Sequence, residues 1–352
     1  MSTPQLDPRS KAILLEVVRE YIDKGEPIGS RSISKKHFEN LSPATIRNVM
    51  ADLEEMGFLN HPHPSAGRVP TDLGYRYLVD TIINDVVAPK DLRLWGDRYD
   101  LELKNQNLQE VLEQTCASLS NYSNQTGLVM LPSFSNMVLK HIDFIKVGRS
   151  EALAVFFSEQ GVLQNKVIAI DKDTPQEELT SISNYLNAEF SNKSIKTIRK
   201  ELLDRIHFEK EHFDRLQKKA LELSNEFFSD EPEKIDLLVD GAHNLLNHPE
   251  FTADLDKMRS ILKTVEEKKK LITLLDRCLK QDGMTILIGE ESHDEEMQDF
   301  SLVAENYQYQ SENIGTVAIF GPKRMDYTLM ISIVNYTANT VSKILSERMQ
   351  GK

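Results

Sequence analysis

Cysteine is almost missing from this chain: Cys116 and Cys278 are the only two in 352 residues. They form no pair motif and no metal-ligand spacing, which excludes a disulfide framework and a cysteine-based zinc site. Long apolar runs are missing too. A stretch such as Leu153 to Phe157 falls far short of the roughly 20 residues a bilayer-spanning helix needs, so no membrane partner is expected. The start of the chain, Met1-Ser2-Thr3-Pro4-Gln5, has neither a basic region nor an apolar one, so a secretory signal is not expected and a reduced, cytoplasmic setting fits. The G-x-S-x-G, H-E-x-x-H, P-loop and dinucleotide fingerprints are absent, so the chain is not expected to be an enzyme or to hold a cofactor. An excess of positive charge is missing as well. Lys and Arg number 42 against 55 Asp and Glu, a net charge of −13. Taken whole, that balance disfavours a nucleic-acid partner.

Split by region, the charge reads differently. Residues 1–80 hold 10 basic and 11 acidic side chains, a net of −1, and the remainder carries −12. The acidity therefore lies outside the N-terminal fifth. Apolar residues make up 40% of the chain and charged ones 28%, enough to build real cores. At roughly 150 residues per domain, the length suggests two or three domains.

The first 88 residues carry dense helix punctuation. Asp7-Pro8 is a cap followed by proline at the first helical position, and Ile13, Leu14, Val17, Val18, Tyr21 and Ile22 then recur at helical spacing. Gly25 suits the left-handed position after the last turn, so a helix is predicted over 8–24. Ser30 is read as the cap of a short second helix reaching about Phe38. Ser42-Pro43 opens a third, closed by Gly57. Phe58–Asn60 and Arg68-Val69 read as short strands around a loop that two prolines and a glycine keep from being helical. Thr71 caps a further helix with Tyr75, Leu78, Ile82 and Val86 on one face.

The remainder reads as a mixed body. A mostly helical connector is expected over 89–126. Strands are expected at 127–131, 139–147, 152–157 and 162–170, and a helix at 175–190. A charged amphipathic helix over 207–228 would bury Leu216, Ala220, Leu223 and Phe227. A strand is predicted at 235–239 and a long helix at 254–279. Strands then return at 284–289, 300–305 and 316–320, before a terminal helix over 325–349.

The third helix carries the chemistry. At about 100° per residue, Ile46, Val49, Met50 and Leu53 fall in one narrow arc, the core face. Ala44, Asn48 and Ala51 point the opposite way, flanked by Thr45 and Arg47. Small residues let a backbone approach a groove, while Asn pairs bidentately with adenine and Arg with guanine or phosphate. Asp52, Glu54 and Glu55 make the far end acidic, so its N-terminus would enter the groove, as in helix-turn-helix docking. Ser42 at the cap would place free N–H groups near a phosphate. Arg31, Lys35 and Lys36 on the second helix would meet the backbone. His63, Ser65 and Arg68 would act from the flap. The same spacing also suits a module that docks protein rather than DNA. Arg47 could pair with Glu54 or Asp52, and Arg68 with Asp72. His61 and His63, at i and i+2 with no nearby Cys or carboxylate, are weak evidence for a metal, and none is expected.

Taken together, Gly29-Ser30-Arg31, Ser42-Pro43-Ala44-Thr45-Ile46-Arg47-Asn48-Val49-Met50, His63-Pro64-Ser65-Ala66-Gly67-Arg68-Val69-Pro70-Thr71 and Gly74-Tyr75-Arg76 closely resemble the HrcA family of bacterial heat-inducible transcription repressors. Asn244 to Phe251, Ile288-Gly289-Glu290-Glu291 and Ile319 to Tyr327 resemble further motifs of that family, so the likeness spans nearly the whole chain. The resemblance implies an α+β multidomain fold: an N-terminal winged helix-turn-helix, and a GAF-like α/β domain with an inserted dimerising α+β domain. On the sequence, these are placed at 1–88 for the winged helix, 89–190 and 283–352 for the two parts of the GAF-like domain, and 191–282 for the insertion. It further implies a homodimer on an inverted-repeat operator of double-stranded DNA upstream of chaperone genes, kept active by the GroE chaperonin and released on heating. A GAF-like domain also leaves open a regulator that senses a small molecule. Arg324 and Tyr327, in the last motif, are read as structural.

Overall fold

The computed structural model describes residues 6–38, 40–63, 66–83, 108–133, 137–159, 161–208, 219–220, 223–224, 227, 237–252, 268–309 and 311–350. Several expectations lie outside these residues: the connector over 89–107, Val86, Leu216 with most of the 207–228 helix, and the first half of the 254–279 helix.

The N-terminal unit folds as its punctuation demands. Helix α1, Pro8–Lys24, starts where the Asp7 carboxylate accepts the N–H groups of Arg9 (2.9 Å) and Ser10 (3.2 Å), and stops at Gly25 in left-handed backbone. Helix α2, Ser30–His37, differs from expectation at its start: Gly29, not Ser30, is the cap, and no side chain bonds there. Ser30 sits one residue inside, where its hydroxyl is not needed to begin the helix. Helix α3, Pro43–Glu55, begins on Ser42 and buries Ile46, Val49, Met50 and Leu53, the arc predicted for its core face. Strands β1, Leu59–Asn60, and β2, Val69–Pro70, pair antiparallel. Helix α4, Asp72–Ile82, is capped by Thr71 and buries Tyr75 and Leu78.

The body is built on five antiparallel strands: β3 (Thr126–Met130), β7 (Leu237–Asp240), β8 (Thr285–Ile288), β9 (Phe300–Tyr309) and β10 (Glu312–Pro322), in the order β7-β3-β10-β9-β8. Side chains alternate between two apolar faces, as the two-residue period of a strand requires. Val129, Val303, Val317 and Ile319 face one core, which also holds helix α5 (Leu108–Ser123) and the terminal helix α9 (Tyr327–Gln350). Leu128, Leu302, Ala318 and Phe320 face the other, under helix α8 (Lys269–Leu279). Cys116 lies in the first core and Cys278 in the second, both buried. The Cys116 thiol donates to the Gly127 carbonyl at 3.2 Å. Of the long helix expected over 254–279, the described part is α8, which starts behind Lys268 in left-handed backbone (φ 53°).

A second sheet stands apart. Strands β4 (Leu139–Lys146), β5 (Glu151–Ser158) and β6 (Leu163–Ala169) form a three-stranded antiparallel sheet. Helices α6 (Gln176–Phe190) and α7 (Ile195–Phe208) accompany them; α7 lies where the sequence suggested no element. The segment after α6 adds backbone bonds at the start of the sheet, between Leu139 and both Asn192 and Lys193. Ala220, Leu223 and Phe227 are buried in this unit's core, as predicted. The excursion from the five-stranded sheet thus leaves after β3 and returns at β7. The bounds of 191 and 282 read from the sequence do not follow the change of sheet. The outer edge of β4 is covered by side chains of α6. Asn187 accepts from the Ile142 N–H (2.8 Å) and donates to its carbonyl (2.9 Å), and Gln176 does the same for Lys146 N–H (2.8 Å) and the Phe144 carbonyl (2.9 Å). From Ile142 to Lys146 these bonds take the backbone groups that another strand would need.

Candidate nucleic-acid interface

Helix α3 presents the face the sequence assigned to it. Ala44, Arg47 and Asn48 are exposed, and Thr45 and Ala51 are half-buried. The Ser42 hydroxyl accepts the Thr45 N–H at 3.1 Å and lies 2.9 Å from the Thr45 hydroxyl. These two hydroxyls therefore fix the helix start while staying at the surface. Pro43 at the first helical position takes a place where an N–H would have had no partner. The result is a rigid N-terminus, with its partial positive charge facing outward.

Arg47 forms no ion pair among the described residues, and neither do Arg31 and Lys35, both exposed on α2. The pairing of Arg47 with Glu54 or Asp52 does not occur. Glu54 instead takes Arg68 from the flap at 2.7 Å, with side-chain exposures of 33% and 16%. The flap's arginine thus braces the acidic end of α3, and the alternative pairing with Asp72 is not made. The buried Arg68 Nε has no hydrogen-bond partner among the described residues, a cost set against the charge pairing.

The flap is held as a wing against the turn that precedes α2. Ile28 and Arg68 exchange both backbone hydrogen bonds, at 2.8 and 2.9 Å. Gly67 makes this approach possible, because a Cβ there would collide with the Ile28 backbone. At the tip, His63 is exposed, while the His61 ring nitrogen lies 3.0 Å from the Ala66 carbonyl, which explains that histidine locally. No group of three metal-ligating side chains comes together among the described residues. Ser65 lies outside the described residues, and the side chain of Lys36 is not described.

The opposite side of the unit holds charges that sequence reasoning did not place. The Asp72 carboxylate receives the Lys323 ammonium at 2.6 Å and the Glu290 N–H at 3.1 Å. Arg76 donates through Nε to Glu291 at 2.8 Å, through Nη2 to the same carboxylate, and to the Ile286 carbonyl at 2.6 Å. Burial works against the Arg76 charge, but Glu291 and Asp80 outweigh it and hold the guanidinium above its ordinary pKa. Arg324 donates to the Ile22 carbonyl at 2.8 Å, at the end of α1. Tyr327 is buried, its hydroxyl 2.7 Å from Ser301 and donating to the Lys323 carbonyl at 2.9 Å, the structural role expected. The signal was in the sequence. Arg76, Glu290, Glu291, Lys323, Arg324 and Tyr327 fall in the motifs that carry the family resemblance, but nothing local says that motifs some 200 residues apart meet.

A helix-turn-helix with a bare outward face, a wing bridged to the turn before α2 and a body of antiparallel sheets and helices behind it define a winged-helix transcription regulator. The families described as "Winged helix-turn-helix transcription repressor, HrcA DNA-binding" and "HrcA protein C terminal domain" match residues 5–83 and 109–331. The heat-inducible transcription repressor HrcA of Geobacter sulfurreducens is 40% identical, covering 97% of this chain and 98% of its own. That of Syntrophobacter fumaroxidans is 37% identical over the same shares. A crystal structure described as a hypothetical protein at 2.2 Å resolution aligns with 98% of this chain and 100% of its own, at 22% identity and a TM-score of 0.63, and so shares the fold. The chain belongs to the HrcA family of heat-inducible transcription repressors.

Proposed function

We propose that this repressor holds an inverted-repeat operator of heat-shock chaperone genes as a homodimer, that the GroE chaperonin maintains its DNA-binding form, and that heat ends repression. One observation carries the DNA reading: the N-terminal half of α3 offers Ala44, Arg47 and Asn48 to solvent, with no ion pair on Arg47 among the described residues. Arg47 and Asn48 read base edges. Ser42 and Thr45 at the helix start, and Arg31, Lys35 and Lys36 on α2, lie along the phosphates. His63, Ser65 and Arg68 flank them from the wing.

Dimerisation is supported by the second sheet. Its face away from α6 carries Ile145, Val147, Leu163 and Val167, exposed at 47, 55, 59 and 57%. Ile145, Leu153 and Val167 lie side by side in register and form one apolar row, with Leu163 beside Phe157 further along the same face. A patch of this kind is an association surface on a soluble chain. A two-fold dimer then requires an inverted repeat.

Fluorescence anisotropy with a chaperone-promoter inverted repeat and a scrambled duplex, each with and without chaperonin, tests the reading. Specific binding strengthened by chaperonin is the expected result. Contacts to ~4–6 phosphates per winged helix give a log–log salt slope of about −4 to −5. Equal, weak binding to both duplexes would overturn it in favour of a protein-docking module.

A further inference from the structure

We propose that the side of the winged helix turned toward the body is a clasp whose pairings select the spacing between operator half-sites. This rests on the dimeric operator reading above and names the residues that would give it register. Three polar anchors join the two units. They lie at the end of α1 (Arg324 to the Ile22 carbonyl, 2.8 Å), at the start of α4 (Lys323 to Asp72, 2.6 Å) and one turn further along α4 (Arg76 to Glu291 Oε1, 2.8 Å). Three points on two helices fix a rigid body against rotation as well as translation.

The geometry behind the anchors is itself fixed. Glu291 holds the Ile288 N–H at 2.9 Å while it receives Arg76, so the carboxylate is oriented before the winged helix reaches it. Gly289 takes a left-handed backbone (φ 53°), and a Cβ there would collide with the Asp72 carboxylate. The turn over Gly289–Ser292 can therefore lie directly against α4. Tyr75 and Tyr327 meet at 6.0 Å between ring centres, and one apolar core runs from α1 through α4 into α9.

Short hydrogen bonds have little tolerance for displacement, and a forked guanidinium–carboxylate pair fixes direction as well as distance. The apolar contact alone does not, because hydrophobic burial is non-directional. The charged anchors are thus what makes the orientation of each α3 single-valued. In a two-fold dimer that orientation sets the separation of the two reading heads. Linking two binding events raises affinity by roughly 10²–10⁴-fold only when the geometry allows both at once. Asp72, Arg76, Glu291 and Lys323 act here as positioning residues and touch no DNA.

The test uses the full chain. Duplexes are selected from a random pool with the wild-type protein, and the recovered repeat is rebuilt as a series with its half-sites separated by stepwise longer spacers, beside a single half-site. Lys323→Glu and Arg76→Glu are compared with the wild type and with Lys323→Arg, which keeps the pair. We expect the wild type to favour its best spacer over the others by roughly 100-fold, and the two Glu variants by less than about 10-fold. Half-site binding should stay within about twofold, and Lys323→Arg should keep the wild-type profile. An unchanged spacing profile in both Glu variants overturns the proposal, as does an equal loss of half-site binding. A second readout does not use DNA. Spin labels at Glu55→Cys and Glu312→Cys, in labelled chains diluted with unlabelled ones, should give one narrow distance in the wild type and a broad distribution in Lys323→Glu. A wild type that selects no repeat ends the operator reading, and with it the spacing claim. The distance distribution then still decides the clasp, and a narrow distance in Lys323→Glu rejects it.

Discussion

The two sides of the winged helix use the same residue types to opposite ends. On the outer side Arg31, Lys35 and Arg47 stand without ion pairs among the described residues. On the inner side Arg76 has Glu291 and Asp80, and Asp72 has Lys323. A count of charges over residues 1–80 gives a net of −1 and hides this division. Net charge is therefore a poor guide to a DNA-binding domain of this size. What counts is which charges remain unspent once the fold has paired the rest.

Removing the layer between the two sides should have the largest effect. Ile46→Ala empties a fully buried position behind α3 and should lower stability by about 2–5 kcal/mol, read by denaturant unfolding, with operator binding falling in parallel. Next come the readers on the outer side. Asn48→Ala or Arg47→Ala should cost about 1–3 kcal/mol of operator binding and leave the unfolding midpoint nearly unchanged. Anisotropy and thermal melts on the same preparations separate the two quantities. An equal loss in both would erase the distinction between the sides.

Arg76→Met should reverse that pattern. Its side chain is 22% exposed and that of Glu291 35%, between the surface and buried limits, so a stability loss of about 1–2 kcal/mol is expected with half-site affinity retained. The smallest change is Ser42→Ala. Loss of the cap should cost about 1 kcal/mol of stability, with a modest loss of DNA affinity because the helix start loosens. A circular-dichroism melt beside a half-site titration checks it.

How far the sequence could lead depended on the range of the interaction. The α3 face was legible because a helix's rotation is set by residues three and four apart, and Ser42-Pro43 fixed where the count began. The body strands were legible as runs of apolar and alternating residues. Their partition into two sheets was not, because β3 pairs with β7 more than a hundred residues along, Gly127 opposite Asp240. The same reason hid the clasp: Asp72 and Lys323 are separated by 251 positions. Other misreadings were local. Gly29 and Ser30 are both good caps, and the hydroxyl made the wrong one look better. Left-handed backbone at a lysine such as Lys268 has no sequence signal. The bond between Arg68 and Glu54 joins a wing to a helix end, and either acid near it could have been chosen.

The two cysteines offer a use that their chemistry does not suggest at first. Burial, chiefly, pushes the Cys116 thiol to about 12 and the Cys278 thiol to about 11, so neither forms an appreciable thiolate near neutrality while its core is closed. One sits on each side of the five-stranded sheet. Their labelling rates therefore act as two separate clocks for local opening, one started by the layer of α5 and α9, the other by that of α8. In a protein whose family answers to heat, the clock that quickens first on warming identifies the layer that yields first.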